Sequence, residues 1–465
     1  MNSKYFVLSF LVLTFCSVDA DIVPQKVSKM NLTFVYSETL NFTLNGHTQG
    51  LYTSIMYKVP QNVTYGGTLH QSLVIKEHQN TEFIEYLTDE HNNTYLNLTW
   101  VVTENKTFTY TLTYVVETHT ANEFIDAQIN YTPETIHIEK YVKNTSLVQS
   151  TNETLRNKAL EIVENSTDLF EIVAKLAIWV STNIKYSYTY YNGTDLIDLS
   201  DLQIDAQWVF DHLTGVCDEF AILFIAFCRS LNISSRYVYG YAYSGGDWGE
   251  HAWAEVYFPS YGWVPFDLTY REYGWLDATH IRLAAALDSN VSDMTFTTYL
   301  FPQERNKTID ITYTSYENSS NLEFFDLTIT SNVSSITSIH DIIEFEILLW
   351  SDYATVVHVD LSIPSSLQNE TTLSYEYIVL LPSKVTALYP VFSVVKLEES
   401  YISLPVVVSV MRYPHEKKET QNISVDYRKD STSSENAIFE FLRDFYVWIL
   451  LFFILVTIGL MISHH

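Results

Sequence analysis

Thr214 to Tyr241 reads T-G-V-C-D-E-F-A-I-L-F-I-A-F-C-R-S-L-N-I-S-S-R-Y-V-Y-G-Y, and His251 to Asp267 reads H-A-W-A-E-V-Y-F-P-S-Y-G-W-V-P-F-D. Together they offer a cysteine at a helix start, a histidine opening one strand and an aspartate on the next. Nucleophilic thiol catalysis needs those three groups in that arrangement. From Cys217 the apolar residues recur at Phe220, Ala221, Phe224, Cys228 and Leu231, the spacing of one buried helical face. Gly215 is expected to let the chain turn sharply before the helix. Cys217 then lies in the first turn, where unpaired N–H groups and the helix dipole favour a thiolate. Cys228 reads as a structural cysteine. The two stand ~16 Å apart along a helix, beyond disulfide reach.

After Gly245-Gly246 the chain alternates His251, Trp253, Glu255, Tyr257 against Ala252, Ala254, Val256, Phe258, which predicts a half-buried strand. Pro259-Ser260-Tyr261-Gly262 reads as a turn and Trp263 to Leu268 as the returning strand. That hairpin sets residues near 267 to 270 opposite His251, so Asp267 can orient the imidazole from a diagonal position. A lone His beside a Trp is more often a packed core residue; the full set of three groups is what points to catalysis.

The pieces G-V-C-D-E-F, F-C-R-S-L-N-I-S-S-R-Y-V-Y-G-Y, H-A-W-A-E-V and G-W-V-P-F-D resemble the transglutaminase-like superfamily, a papain-type fold shared by transglutaminases, peptide N-glycanases and microbial cysteine proteases. The resemblance covers roughly residues 150 to 285. It implies Cys217 as nucleophile, His251 as base and Asp267 as orienter. Eukaryotic transglutaminases also carry an upstream tryptophan that helps form the oxyanion hole, and no counterpart is evident here. Trp208 falls on a predicted helix too near Cys217, and Trp179 sits in an amphipathic core stripe. The Cys217 backbone N–H is one candidate donor, and the second is unassigned.

Working outward, Thr167 or Asp168 is expected to cap a helix carrying Leu169, Ile172, Val173, Leu176, Trp179 and Val180. Ser200 with Gln203 forms a capping-box pattern for a second helix. Asn232 follows the Cys217 helix, where a left-handed residue closes helices. The acidic run Asp195, Asp198, Asp201, Asp205 could hold Ca²⁺ through oxygen ligands, but its spacing is no EF-hand and an exposed acidic face is the commoner explanation. No cofactor is required by the thiol chemistry.

The flanks alternate with period two. Residues 21–150 predict an N-terminal antiparallel β-domain, and residues 290–430 predict an immunoglobulin-like β-sandwich around the catalytic core at 151–285. The chain has 465 residues, a net charge of −29 and only 17% charged residues. That balance argues against nucleic acid or anionic lipid as partners and against a disordered acidic chain.

Residues 1–20 read as a signal peptide, which would remove Cys16 and leave Cys217 and Cys228 as the only thiols. An exported chain whose two thiols cannot pair fits a cysteine kept for reactivity. About 18 of about 27 Asn begin N-x-Ser/Thr sequons, against about five expected by chance, so N-glycans are expected. A polar stalk at 431–444 and an uncharged run from Phe445 to Ile462 predict a single C-terminal transmembrane helix. The resulting expectation is an α+β core between two β-domains on a single-pass cell-membrane protein with an extracellular ectodomain. Its expected activity is acyl transfer on protein carboxamide or peptide carbonyl groups. An extracellular cysteine protease and a non-catalytic adhesion module reusing the fold are the alternatives.

Overall fold

The computed structural model describes residues 22–44, 51–122, 125–133, 138–187, 204–291, 294–298, 301–319, 323–339, 341–370, 377–397, 403–412 and 415–426. Seven strands come first: β1 (Val27–Phe42), β2 (Leu51–Lys58), β3 (Val63–Tyr65), β4 (Thr68–Gln79), β5 (Phe83–Thr88), β6 (Thr94–Val102) and β7 (Lys106–His119). The middle of the chain adds β8 (Ala121–Asn122), α1 (Glu153–Val163), α2 (Leu169–Asn183), β9 (Lys185–Tyr186), α3 (Ala206–His212), β10 (Thr214–Gly215) and α4 (Cys217–Ser230). It continues with β11 (Ser235–Ser244), β12 (Asp247–Phe258), β13 (Gly262–Asp267), β14 (Glu272–Tyr273), β15 (Trp275–Leu276) and β16 (His280–Ala286). Two strands follow, β17 (Met294–Thr298) and β18 (Glu304–Asn318).

The N-terminal strands build two facing sheets, ordered β18-β1-β7-β4-β3 and β17-β2-β6-β5. Strict alternation drives this. Met30, Leu32, Phe34 and Tyr36 of β1 and Tyr110, Leu112, Tyr114 and Val116 of β7 point inward, onto Leu96, Leu98 and Trp100 of β6. Strands β17 and β18 come from beyond the core and complete the N-terminal sandwich. The long β1 has two free edges, and a distant strand satisfies the second.

The core sheet is ordered β14-β13-β12-β11-β16. Helix α4 lies on it, with α1, α2 and α3 packed around the helix. Every residue of α4 except Asp218 is buried. The spacing predicted one apolar face; sheet on one side and helices on the other enclose nearly the whole circumference. The back of β11 and β16 meets the N-terminal sandwich through Tyr241, Ile281 and Leu283. Side-chain amides cover the free edge of β16: Gln71 exchanges hydrogen bonds with Arg282 N and O at 2.8 and 2.9 Å, and Asn93 with Ala285 N and O at 2.7 Å each. Residues 326–425 form two further sheets around their own apolar clusters. Arg412, buried there, reaches back to Asn122 at 3.1 Å.

The expected single-pass membrane anchor is corrected. Among the described residues no helix is long and apolar enough to cross a membrane, and residues 445–462 lie outside them. The single transmembrane helix and the cell-membrane location are therefore not carried further. The expected signal at 1–20 and stalk at 431–444 also lie outside the described residues, as do Asp195, Asp198, Asp201 and the Ser200–Gln203 capping box. Helix α3 instead starts at Ala206, with Asp205 Oδ1 accepting from Trp208 N at 2.9 Å.

Candidate active site

Cys217 is the first residue of α4, and the approach to it is unusually tight. Gly215 pairs with Tyr186 in a short parallel bridge, and a Cβ there would stand 2.3 Å from Glu219 Cβ. The glycine is therefore needed for close approach, where the sequence suggested a turn. Glu219 closes the helix start by accepting from Val216 N at 2.8 Å, and burial pushes its carboxyl up to about 7. Asp168 caps α2 as expected, accepting from Glu171 N at 3.0 Å. Asn232 closes α4 with φ of 61°.

The hairpin brings His251 to Asp267. Ala254 pairs with Phe266 and Phe258 with Gly262. One more residue in that register sets Asp267 across from Trp253, diagonal to His251. His251 Nε2 lies 2.6 Å from Asp267 Oδ2, with both side chains buried. Oδ1 of Asp267 accepts from Thr269 N at 2.8 Å and Tyr270 N at 3.0 Å. The carboxylate is thus fixed in orientation before the imidazole is considered. With Nε2 committed to Asp267, Nδ1 is the ring nitrogen left for the Cys217 side chain, which is near enough to act on the ring.

Burial opposes charge on the His251 ring, but the Asp267 carboxylate and the Cys217 sulfur outweigh it and carry the ring up to about 9. Burial likewise opposes charge on Asp267, yet His251 and His280 hold its carboxyl well below the usual carboxylate range. Cys217 Sγ also lies 4.0 Å from Asp218 Oδ1, which accepts from Tyr237 OH at 2.7 Å. Burial raises the Asp218 carboxyl against that bond and against His251. Cys228 is fully buried mid-helix, and burial pushes its thiol far up.

A cavity of about 430 Å³ opens at His251, lined by Tyr186, Asp247, Trp248, Glu250 and Tyr270 among others. Tyr270 stacks on the His251 ring at 4.8 Å. Trp253 is buried in a cluster with Val63, Tyr65, Ala121, Val238 and Leu276, its ring 6.1 Å from that of His251 and outside the cavity lining. Trp179 packs on Phe227 and Trp208 stacks on His212, so neither lines the cavity. The Cys217 N–H remains one of the amides a helix start leaves for a ligand.

Sequence reasoning missed Tyr270, His280, Asp277 and Glu272. His280 Nε2 is 3.1 Å from Asp267 Oδ2, and its Nδ1 is 3.0 Å from Asp277 Oδ1. The one signal for Asp277 and His280 was polar residues inside an otherwise apolar run, W-L-D-A-T-H-I-R-L-A-A-A at 275–286. Among the described residues, His251, Asp267 and His280, and Glu272, Asp277 and His280, are the groups whose ligand atoms gather within 4.8 Å. The 2.6 Å His251–Asp267 separation is a proton-bridged distance.

These elements define a thiol, an imidazole and a carboxylate on a helix-and-sheet scaffold of papain type. Residues 156–268 match the family model for the Transglutaminase-like superfamily, and this segment of the chain belongs to that superfamily. YebA of Bacillus subtilis (strain 168), named as an uncharacterized protein, is 26% identical over 177 residues, 34% of this chain and 23% of YebA. The chain thus matches less than a quarter of that relative's length. A solved candidate cysteine protease from Cytophaga hutchinsonii aligns at 19% identity over 62% of this chain and 92% of its own, with a TM-score of 0.44. Red sea bream transglutaminase aligns at 8% identity over 85% of this chain and 95% of its own, with a TM-score of 0.25.

Proposed function

We propose that this chain is a cysteine acyl-transfer enzyme working through Cys217, His251 and Asp267 on a carboxamide or peptide carbonyl of a protein substrate. The observation that carries the reading is the buried His251–Asp267 hydrogen bond of 2.6 Å, beside a thiol at a helix start that acts on the same ring. Cys217 Sγ adds to the carbonyl carbon. His251 gives the thiol's proton to the departing amine, and a thioester remains. An incoming amine or water then loses its proton to His251, attacks the thioester and restores the thiol. Asp267 keeps the proton of His251 on Nε2, away from the sulfur, whenever the ring is neutral.

Acceptance of amines is supported by the cavity rim. Asp247 and Glu250 stand exposed beside Trp248 and Tyr270, a setting that draws a protonated amine and offers it apolar cover from water. The test is incorporation of a labelled primary amine into a glutamine-bearing protein, with Cys217→Ala as control. Cysteine-dependent incorporation supports a transglutaminase. Cysteine-dependent peptide cleavage without incorporation moves the reading to a protease, and neither activity leaves a binding module.

A further inference from the structure

We propose that His280 is held as an imidazolium on the far side of Asp267 and, with Asp277, sets the pH range in which His251 can exchange protons with Cys217 and the substrate. The proposal rests on the acyl-transfer reading for its consequence, though not for its charge state. Its basis is a count of donors. His280 Nε2 faces Asp267 Oδ2 at 3.1 Å and Nδ1 faces Asp277 Oδ1 at 3.0 Å. Neither oxygen can supply the proton. Asp267 Oδ2 already accepts from His251 at 2.6 Å. Asp277 Oδ1 already accepts from Thr279 N at 2.7 Å and Thr279 Oγ1 at 2.6 Å. A neutral imidazole has one N–H and would leave one of these buried contacts empty. The ring must donate at both ends, and that form carries a positive charge.

The surroundings agree. His280 is fully buried, and the rings of Trp253, Tyr270 and His251 stand 5.4, 5.7 and 5.6 Å from it. Burial opposes the charge, but Asp277 and Asp267 carry the ring up to about 9. Glu272, the next acid outward, is kept neutral by burial and by the Asp277 carboxylate, so it adds no charge. Among the described residues Glu272 Oε1 and Asp277 Oδ2 have no hydrogen-bond partner, and a proton shared between the two carboxyl groups would satisfy both. His70, packed nearby, donates Nδ1–H to His119 O at 2.7 Å, and burial keeps it neutral by lowering it to about 4.

Two buried carboxylates therefore face two imidazoles in series. With His280 charged, one net negative charge remains for His251 on this side, while Asp218 and Cys217 of α4 act on the ring from the other and are unchanged in the variants. Without the His280 charge, the excess negative charge would hold His251 protonated, and a permanently protonated ring cannot act as base in the second half of the reaction. His280 and Asp277 are thus positioning residues that touch no substrate.

The sign follows from Coulomb's law: removing a cation near His251 favours its protonated form and raises the pH at which it becomes a base. At an effective dielectric of about 20, a unit charge 5.6 Å away is worth roughly two pH units, cut to roughly one by the proton Asp277 takes up when His280 is lost. The experiment uses the full chain labelled with ¹⁵N-histidine. Imidazole nitrogen spectra should show His280 protonated on both nitrogens from pH 6 to 8. In His280→Gln and Asp277→Asn the His251 titration should move up by roughly one unit, and the acid limb of turnover, on which His251 becomes a base, should move with it. Turnover at neutral pH should fall about tenfold and return one unit higher. A neutral His280 at pH 7 in the unaltered chain overturns the proposal, even if neither variant folds. So does a folded variant whose turnover drops equally at every pH. If no variant or wild-type chain turns over, the acyl-transfer reading fails alone, and the His251 titration still decides this one.

Discussion

Asp267→Asn separates charge from shape at the candidate site. Oδ1 of Asp267 is pinned by the N–H groups of Thr269 and Tyr270, at 2.8 and 3.0 Å. An asparagine must keep its carbonyl there, which turns its NH₂ toward the two histidine Nε2 atoms. His251 Nε2 then has to accept, and its proton moves to Nδ1, the nitrogen left for Cys217. A ring already protonated on that side cannot take the thiol's proton. The charge loss adds to this. The ring would drop from about 9 toward its ordinary 6.5, and 2.5 units at 1.36 kcal/mol each come to about 3 kcal/mol. That is the stabilisation lost by the imidazolium formed in the reaction, so the limiting kcat of the neutral-ring form falls a few hundredfold, and the wrong tautomer deepens it toward ~10⁴, the scale seen when the aspartate of a serine protease triad is changed the same way. The assay is cysteine-dependent amine incorporation by the purified variant, with circular dichroism as the folding check. A folded Asp267→Asn protein within tenfold of wild-type activity would refute the role given to Asp267.

A small electrophilic thiol probe should label Cys217 in the folded chain and leave Cys228 untouched until denaturant is added; mass mapping that finds Cys228 labelled first contradicts the burial argument. Gly215→Ala should cost about 1–3 kcal/mol in urea unfolding, because the new Cβ would meet Glu219 Cβ at 2.3 Å; an unchanged midpoint would mean the helix start can shift freely. Stability should depend on pH with a definite sign. His251 and His280 are raised to about 9, so their contribution is complete below pH 6.5 and lost as pH climbs through 9; a urea midpoint equal at pH 6.5 and pH 10 would contradict it. Asp247→Asn with Glu250→Gln should raise KM for a cationic amine a few-fold at low salt and little at high salt; an equal effect at both would remove the steering argument.

Much of the site was legible because its parts are local. The helix start at Cys217, the strand at His251 and the tight hairpin to Asp267 follow from periodicity and turn residues within one stretch. Register alone then brings His251 and Asp267 together. The residues that escaped notice are those joined by non-local packing or by a turn of irregular backbone. Tyr270 covers His251 because the chain rises after β13, with Arg271 at φ of 62°. His280 reaches Asp267 from a strand on the opposite edge of the sheet. Likewise β17 and β18 read as part of the following sandwich, since alternation marks a strand without naming its partner. Gly215 was singled out correctly but for a different reason, because a contact four residues ahead leaves no trace in local pattern. Of the acidic run, Asp205 alone lies among the described residues, where it is a helix cap.

Trapping the intermediate tests the central claim most directly. The full chain is mixed with a glutamine-bearing protein without added amine, quenched in acid within seconds, digested and weighed by mass spectrometry. The account predicts an acyl adduct on the Cys217 peptide, discharged by hydroxylamine, accompanied by one ammonia released per adduct, and absent from Cys217→Ala. Turnover of substrate with no adduct on Cys217, or an undiminished rate in Cys217→Ala, would contradict it.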